Sequence, residues 1–287
     1  MSNILLQTTI EDEPDDWSVR RFSLLCEFLS SVRGVDGRPA FRLTARDRLI
    51  RGTPDPVLSN LDVSGFDQLW LLAVDPGDGL TPEDCAGISR FRQRGGGLMV
   101  TRDHMDLGCS ICNLGGVGPA HHFHGHNPEC DEDRHCLHNR FSPGIAWPNY
   151  QSGANGDFQR VRPVGNIHPV MRDRLSATGV IQYMPAHPHE GAVSAPPGDP
   201  SARVIMAGQS MASARPFNIA VAFERSERGG RAIAQSSFHH FTDYNWTPAA
   251  GCPSFVSEPP GDGMVRFPEA LRSTKQYIRN AAFWIGS

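Results

Sequence analysis

Lysine is nearly missing from this chain of 287 residues: of its 27 basic residues only Lys275 is a lysine, and the others are arginines. Usage that lopsided reflects coding bias rather than function. An excess of positive charge is also missing. The formal net charge of −4 leaves no electrostatic footprint for nucleic acid or an anionic lipid surface, and neither is expected as a partner. No apolar run approaches the roughly 20 residues that a bilayer span needs. The start of the chain lacks a basic segment and a long apolar core and turns acidic at Glu11-Asp12-Glu13, so a secretory leader is not expected. The expected compartment is the cytoplasm, where thiols stay reduced. The seven cysteines then read as thiols or metal ligands rather than disulfides. Internal repeats and a clean linker are absent as well, and one domain over residues 1–287 is expected. The 29 glycines and 23 prolines imply many loops, without the triplet period of collagen or the composition of a disordered chain.

What is present begins as alternating strand and helix. Asn3 to Ile10 is a compact apolar strand, and Trp17, Phe22, Leu25, Phe28 and Leu29 recur at helical spacing. Pro39 to Thr44 is a second strand. Phe66 to Val74 is almost continuously apolar, as a strand covered on both faces must be. Thr81 followed by Pro82, Glu83 and Asp84 reads as an N-cap, a first-position proline and an acidic first turn. That helix ends at Gly95-Gly96-Gly97, and a strand from Leu98 to Arg102 follows at once. The alternation predicts a three-layer α/β fold of flavodoxin-like type, with a parallel sheet and right-handed crossovers. Ligands of such sheets sit beyond the carboxyl ends of the strands, which directs attention to Thr9, Asp75, Arg102, Asp103 and His104. Short strands resume at Val180–Met184, Arg203–Ala207, Asn218–Phe223 and Arg231–Ser237, and a helix from Phe267 to Ile285 closes the chain.

Regularity breaks between residues 103 and 160, an insert too long and too rich in Gly, Pro, His and Cys to be an ordinary connection. Its first part carries seven of the twelve histidines (His104, His121, His122, His124, His126, His135, His138) and four of the seven cysteines (Cys109, Cys112, Cys130, Cys136). Imidazole and thiolate are the ligands zinc prefers. Cys109-x2-Cys112 has the short knuckle spacing; Cys130-x5-Cys136 is looser. Zinc bound by these cysteines, or by a mixed set with His121, His122 and His124, is one expectation. Iron is an alternative, and so is a metal-free, solvated His-rich loop.

A second cluster, Ser236 to Trp246, is delivered to the sheet edge by the Arg231–Ser237 strand. Side chains alternate along a strand, so His239 and His240 cannot both face one pocket if extension continues. One of them is a candidate general base or ligand, with Asp243 available to orient it. Arg102 suits a carboxylate, phosphate or polyol through its fork of donors, or an internal ion pair. Among the sheet-edge and loop residues, Thr9, Asp75, Arg102, Asp103, His124 and His126 are the candidates for binding substrate. Arg102, His104, His239, His240 and Asp243 are the candidates for chemistry.

Taken in order, several segments resemble the ThuA-like (trehalose-utilisation type) proteins, a branch of the class I glutamine amidotransferase-like superfamily. They are the Asp75–His104 block, Gly115-Gly116 with Phe123-His124-Gly125-His126-Asn127-Pro128, Asn166-Ile167-His168-Pro169-Val170, Gly230-Arg231 through His239-His240, and a terminal helix ending Phe283-Trp284. The chain departs from that pattern at Arg102, where relatives usually carry a histidine, and in its cysteine cluster. The resemblance implies the flavodoxin-like fold, function at His239 or His240, and a link to carbohydrate metabolism. It does not imply glutaminase chemistry, because the strand ending Val100-Thr101-Arg102 lacks the Gly-x-Cys-x-Gly elbow that positions such a nucleophile. The expected function is an enzyme acting on a small polar substrate, such as a sugar derivative, by metal-assisted hydrolysis, hydration or isomerisation with histidine acid/base chemistry. The rivals are a non-catalytic binding or assembly domain stapled by zinc, and a thiol enzyme using Cys109 or Cys112. A homo-oligomer is compatible with all of them.

Overall fold

The computed structural model describes residues 1–127 and 144–287. Its centre is an eight-stranded sheet. The strands are β1 (Ser2–Thr8), β2 (Phe41–Arg46), β3 (Gln68–Leu72), β4 (Gly97–Thr101), β5 (Arg162–Pro163), β6 (Ala202–Gln209), β7 (Pro216–Phe223) and β8 (Ala232–Gln235). The spatial order is β2-β1-β3-β4-β8-β7-β6-β5. The first five strands are parallel, and β7, β6 and β5 extend them antiparallel. The expected flavodoxin-like parallel core is therefore present, with an antiparallel wing. The wing follows from chain length: β6 and β7 are separated by only six residues, too few for a crossover, so they pair as a hairpin.

Alternation along the central strands fills two cores. Ile4, Leu6, Trp70, Leu72 and Met99 face one side, where α1 (Ser23–Ser31) and the terminal helix α3 (Pro268–Ile285) contribute Leu25, Leu29, Tyr277, Ile278 and Ala281. Leu5, Leu69, Leu71, Leu98 and Val100 face the other, against Cys85, Ile88 and Phe91 of α2 (Pro82–Gln93). Being buried on both faces, β3 and β4 read as continuous apolar runs. Helix α2 starts where the sequence places it. Thr81 Oγ1 accepts from the Asp84 backbone N–H, and the Asp84 carboxylate accepts from the Thr81 N–H, a reciprocal capping box.

One adjacency matters most for function. Strands β4 and β8 are parallel neighbours, with Thr101 paired to Gln235, so the segments that leave their carboxyl ends run side by side. One is Arg102-Asp103-His104 and the other is Ser236 to His240. Among the described residues no helix is long and apolar enough to cross a membrane.

Candidate metal centre at the carboxyl end of the sheet

Asp103 is the hub of the site. Its side chain is buried at the end of β4, and three imidazoles face it. His104 Nδ1 lies 2.9 Å from Oδ2, His187 Nε2 lies 3.4 Å from Oδ1, and His239 Nε2 lies 3.5 Å from Oδ2. Burial alone would push the Asp103 carboxyl up, but the facing imidazoles of His104, His239 and His187 hold it well below the usual carboxylate range. The His187 imidazole moves the opposite way for an imidazole: burial, and then the neighbouring His239, push it well below its ordinary value.

A third segment completes the cluster. Residues 186–191, Ala-His-Pro-His-Glu-Gly, pass against both strand ends. Gly191 permits the approach: a Cβ there would lie 2.4 Å from the Ser236 carbonyl oxygen and 2.6 Å from that of Asp103, so no larger residue fits. Its neighbour His189 is held between Asn149 Oδ1 (3.1 Å from Nδ1) and Glu258 Oε1 (2.9 Å from Nε2). These groups open onto a cleft of about 360 Å³. Trp17, Leu107, Ile145 and Phe255 form its apolar walls, with His104, His187, His189, His239 and Glu258 as its polar lining. One ligand atom each from Asp103, His104 and His187 lie within 4.8 Å of one another, a grouping able to hold a metal ion.

The residues singled out in the sequence distribute unevenly around this cluster. Asp103, His104 and His239 line the cleft. His240 points away from it: Nε2 meets Glu190 Oε1 at 3.0 Å and Nδ1 meets Gln235 Nε2 at 2.8 Å, all buried. Extension ends at Gln235, and a 3-10 turn over Phe238–Phe241, rather than strand alternation, turns the two histidines to different surroundings. Asp243 does not orient either of them. Its carboxylate accepts from the backbone N–H groups of Ser23 and Leu24 and from Ser23 Oγ, satisfying donors left open at the start of α1. The Arg102 guanidinium turns under the insert, where it donates to the carbonyls of His122 and Met105 and stacks over Phe123 at 4.1 Å. Full burial pushes it down to about 9. Thr9 Oγ1 accepts from the Val74 N–H, and Asp75 accepts from Ser110 and Gly77. Both are consumed in packing the strand ends.

The insert's other candidates stand apart from the cleft. His124 and His126 are exposed. His121 is buried beside Phe123, and His122 Nε2 meets Ser194 Oγ at 2.7 Å. Cys109 is buried and Cys112 half-buried. Burial pushes the Cys109 thiol up to about 12 and raises that of Cys112, the opposite of what a nucleophilic thiolate needs. Cys130 and Cys136 lie outside the described residues.

Sequence reasoning missed His187, His189 and Glu258, together with Asn155 and Asn245 behind the cluster. A signal existed for the first two. His187-x-His189 has the two-residue spacing that puts both side chains on one side of an extended segment. Asn155 gave none, because its partners His187 and Asn245 are 32 and 90 positions away; Asn245 lies within the Ser236–Trp246 cluster, three and six positions from Thr242 and His239.

No protein-family model matches the chain, and no curated protein does. Solved structures do. A protein from Parabacteroides merdae described as ThuA-like matches 100% of this chain and 90% of its own at 12% identity, with a TM-score of 0.49. Agd3, described as a carbohydrate deacetylase, matches 87% of this chain at 10% identity and a TM-score of 0.44. The exo-β-1,4-mannosidase Op5Man5 from Opitutaceae bacterium strain TAV5 matches 98% at 9% identity and a TM-score of 0.35. This chain spans 30% of Agd3 and 35% of the mannosidase.

Proposed function

We propose that the cleft is the active site of a hydrolase that uses a divalent cation and cleaves an ester or amide of a small polar molecule, such as a sugar derivative. One observation carries the reading: one ligand atom each from Asp103, His104 and His187 lie within 4.8 Å of one another at the cleft. The 3.4 Å from His187 Nε2 to Asp103 Oδ1 is long for a hydrogen bond. His187 Nε2 has no hydrogen-bond partner among the described residues, and an unpartnered buried acceptor calls for one. Asp103, His104 and His187 are assigned as the ligands.

A bound cation of this kind polarises a carbonyl and lowers the pKa of water. The chain's own residues do the rest. His239, which lines the cleft with Nε2 3.5 Å from Asp103 Oδ2, takes the proton from the attacking water and returns it to the leaving group. His189 and Glu258 offer polar contacts for substrate hydroxyls, and Trp17 and Phe255 wall the cleft against bulk water. Its volume, about 360 Å³, lies at the small end of the roughly 300–1,000 Å³ typical of ligand sites, which favours a substrate of one or two sugar rings.

The test loads the protein with Zn²⁺ or Co²⁺ and assays it against acetylated mono- and disaccharides and sugar lactones, with and without chelator. Chelator-sensitive turnover is expected. D103N should lose metal and turnover together, and H239Q should keep the metal and lose turnover by about 10²–10⁴-fold. Loss of metal from H239Q would reassign His239 as a ligand. Metal-independent turnover, or no metal uptake at all, would sink the reading.

A further inference from the structure

His187 sits on an irregular segment, and a proline explains how that segment is held. Tyr150 and Glu190 pair as in an antiparallel ladder: Glu190 N–H donates to the Tyr150 carbonyl at 2.7 Å, and Tyr150 N–H to the Glu190 carbonyl at 3.0 Å. The next hydrogen-bonded pair of such a ladder would join residues 152 and 188. Residue 188 is a proline and has no N–H to give. The pairing slips by one residue instead. Ser152 N–H donates to the His187 carbonyl at 3.1 Å. The Ser152 hydroxyl oxygen, in the place of a backbone carbonyl, accepts from His187 N–H at 2.9 Å. The hydrogen of that hydroxyl has two acceptors in reach, the His187 carbonyl at 3.1 Å and Glu190 Oε1 at 2.8 Å. The carbonyl lies farther off and already accepts from Ser152 N–H. The hydrogen therefore goes to the carboxylate, which leaves a lone pair facing His187 N–H.

The Glu190 carboxylate can hold that hydroxyl because it is itself held. It is fully buried, and three further donors meet it. Gln159 Nε2, oriented by the Pro185 carbonyl at 3.1 Å, donates to Oε1. The Ser236 hydroxyl donates to Oε2 at 3.1 Å, and His240 Nε2 lies 3.0 Å from Oε1. His240 is set in turn. The Tyr277 hydroxyl donates to Gln235 Oε1 at 2.7 Å, which turns the Gln235 amide nitrogen to His240 Nδ1 at 2.8 Å and leaves the ring hydrogen on Nε2. We propose that Glu190 and Ser152 form a brace that positions His187. The carboxylate, anchored through Ser236 and His240 to the end of β8 and to α3, fixes the Ser152 hydroxyl, and the hydroxyl fixes the backbone from which the His187 imidazole faces Asp103. The brace rests on the metal-dependent reading of this cleft and deepens it. Neither residue lines the cleft; both are positioning residues that act through His187. His240 thereby has its place behind the site, as a support of the brace.

The test uses full-length protein freed of metal with chelator. Amide hydrogen exchange is read by NMR at His187 and, as a control for global opening, at Leu69–Leu72 of β3. Co²⁺ is then titrated and followed by its visible absorption. S152A and E190A should speed exchange at His187 by about 2–10-fold or more, the effect of losing one hydrogen bond. The β3 amides should stay within about twofold of wild type, since the opening is local. Both variants should weaken Co²⁺ binding roughly 10–100-fold, the range of outer-sphere partners of ligating histidines. E190Q keeps an oxygen for the Ser152 hydroxyl, and S236A removes a donor to Oε2 that has no link to His187. Each should stay within about threefold of wild type in both measurements, less than the loss of a hydrogen bond to His187 would cost. Unchanged exchange at His187 in S152A and E190A overturns the brace, as does their unchanged Co²⁺ affinity where the wild type binds Co²⁺. An S236A protein as impaired as S152A, or an E190Q protein as impaired as E190A, overturns it too. If E190A does not fold, S152A, S236A and E190Q decide. Faster exchange at His187 in S152A, in a protein whose wild type takes up no Co²⁺, upholds the brace and defeats the metal reading, so the two can fail separately.

Discussion

His187 and His239, which are 52 positions apart in the sequence, stack face to face with ring centroids 3.6 Å apart and turn the same nitrogen to one carboxylate. Burial, and then the neighbouring His239, push the His187 imidazole well below its ordinary value.

Saturating zinc should accordingly raise the stability of the folded chain. At about 100 times the dissociation constant the gain is about 2.7 kcal/mol, read as a shift of the thermal midpoint. D103N, which removes the charge that the cation meets, should abolish the shift. A D103N protein that melts later with zinc would place the metal elsewhere.

Replacing Cys109 and Cys112 by serine should leave that shift intact, because both thiols lie outside the cleft and burial keeps them protonated. A double variant that no longer responds to zinc would move the metal to the insert.

Acidification should destabilise the protein before any carboxylate titrates. His168 Nδ1 accepts from the Val170 N–H, its Nε2 donates to Glu224, and its ring meets Trp284 edge-on. Burial, and then Arg203, lower it to about 4. An unfolded histidine titrates near 6.5, so the unfolded chain binds the proton first. The stability His168 contributes is complete above about pH 6.5 and is lost as the pH falls toward 4. His187 and His121, both lowered by burial, act in the same direction. H168N keeps an acceptor for Val170 but does not titrate, and its melting temperature should fall less steeply over that interval. An identical slope in H168N would remove His168 from the account.

R102M should cost about 2–4 kcal/mol in denaturant unfolding, since it strips two carbonyl groups of a buried charged donor and a cation–π contact. It should also make the segment around Met105 and His122 easier to cleave with protease. A loss under 0.5 kcal/mol would contradict the structural role assigned to the guanidinium.

E258Q should raise KM for a hydrolysed substrate several-fold and leave Co²⁺ affinity unchanged, because Glu258 reaches His189 at the rim of the cleft and none of the assigned ligands. Weakened Co²⁺ binding in E258Q would draw Glu258 into the metal site.

Much of the fold was legible because its central strands and helices carry local signals: the apolar run at β3, the Thr81-Pro82 start of α2, the triple glycine before β4. The antiparallel wing was not, since short strands reveal their partners only through connection length. For the site, Asp103, His104 and His239 were found by asking what leaves the carboxyl ends of β4 and β8. His187 was hidden because it lies on an irregular segment whose position is fixed by Gly191, and periodicity says nothing about such a segment. The histidine-dense stretch from 121 to 126 drew attention by composition, yet its rings are buried beside Phe123 and Trp147 or exposed to solvent. Density of ligating residues in sequence and convergence in space are different properties.

The bare contact at Gly191 has a consequence for reach. Asp103 and His187, 84 positions apart in the sequence, sit 3.4 Å from one another, and the segment that carries His187 lies against the Asp103 and Ser236 carbonyls at a position with no side chain. A methyl group there would wedge the segments open, so the span between carboxylate and imidazole is set by an atom that the chain leaves out.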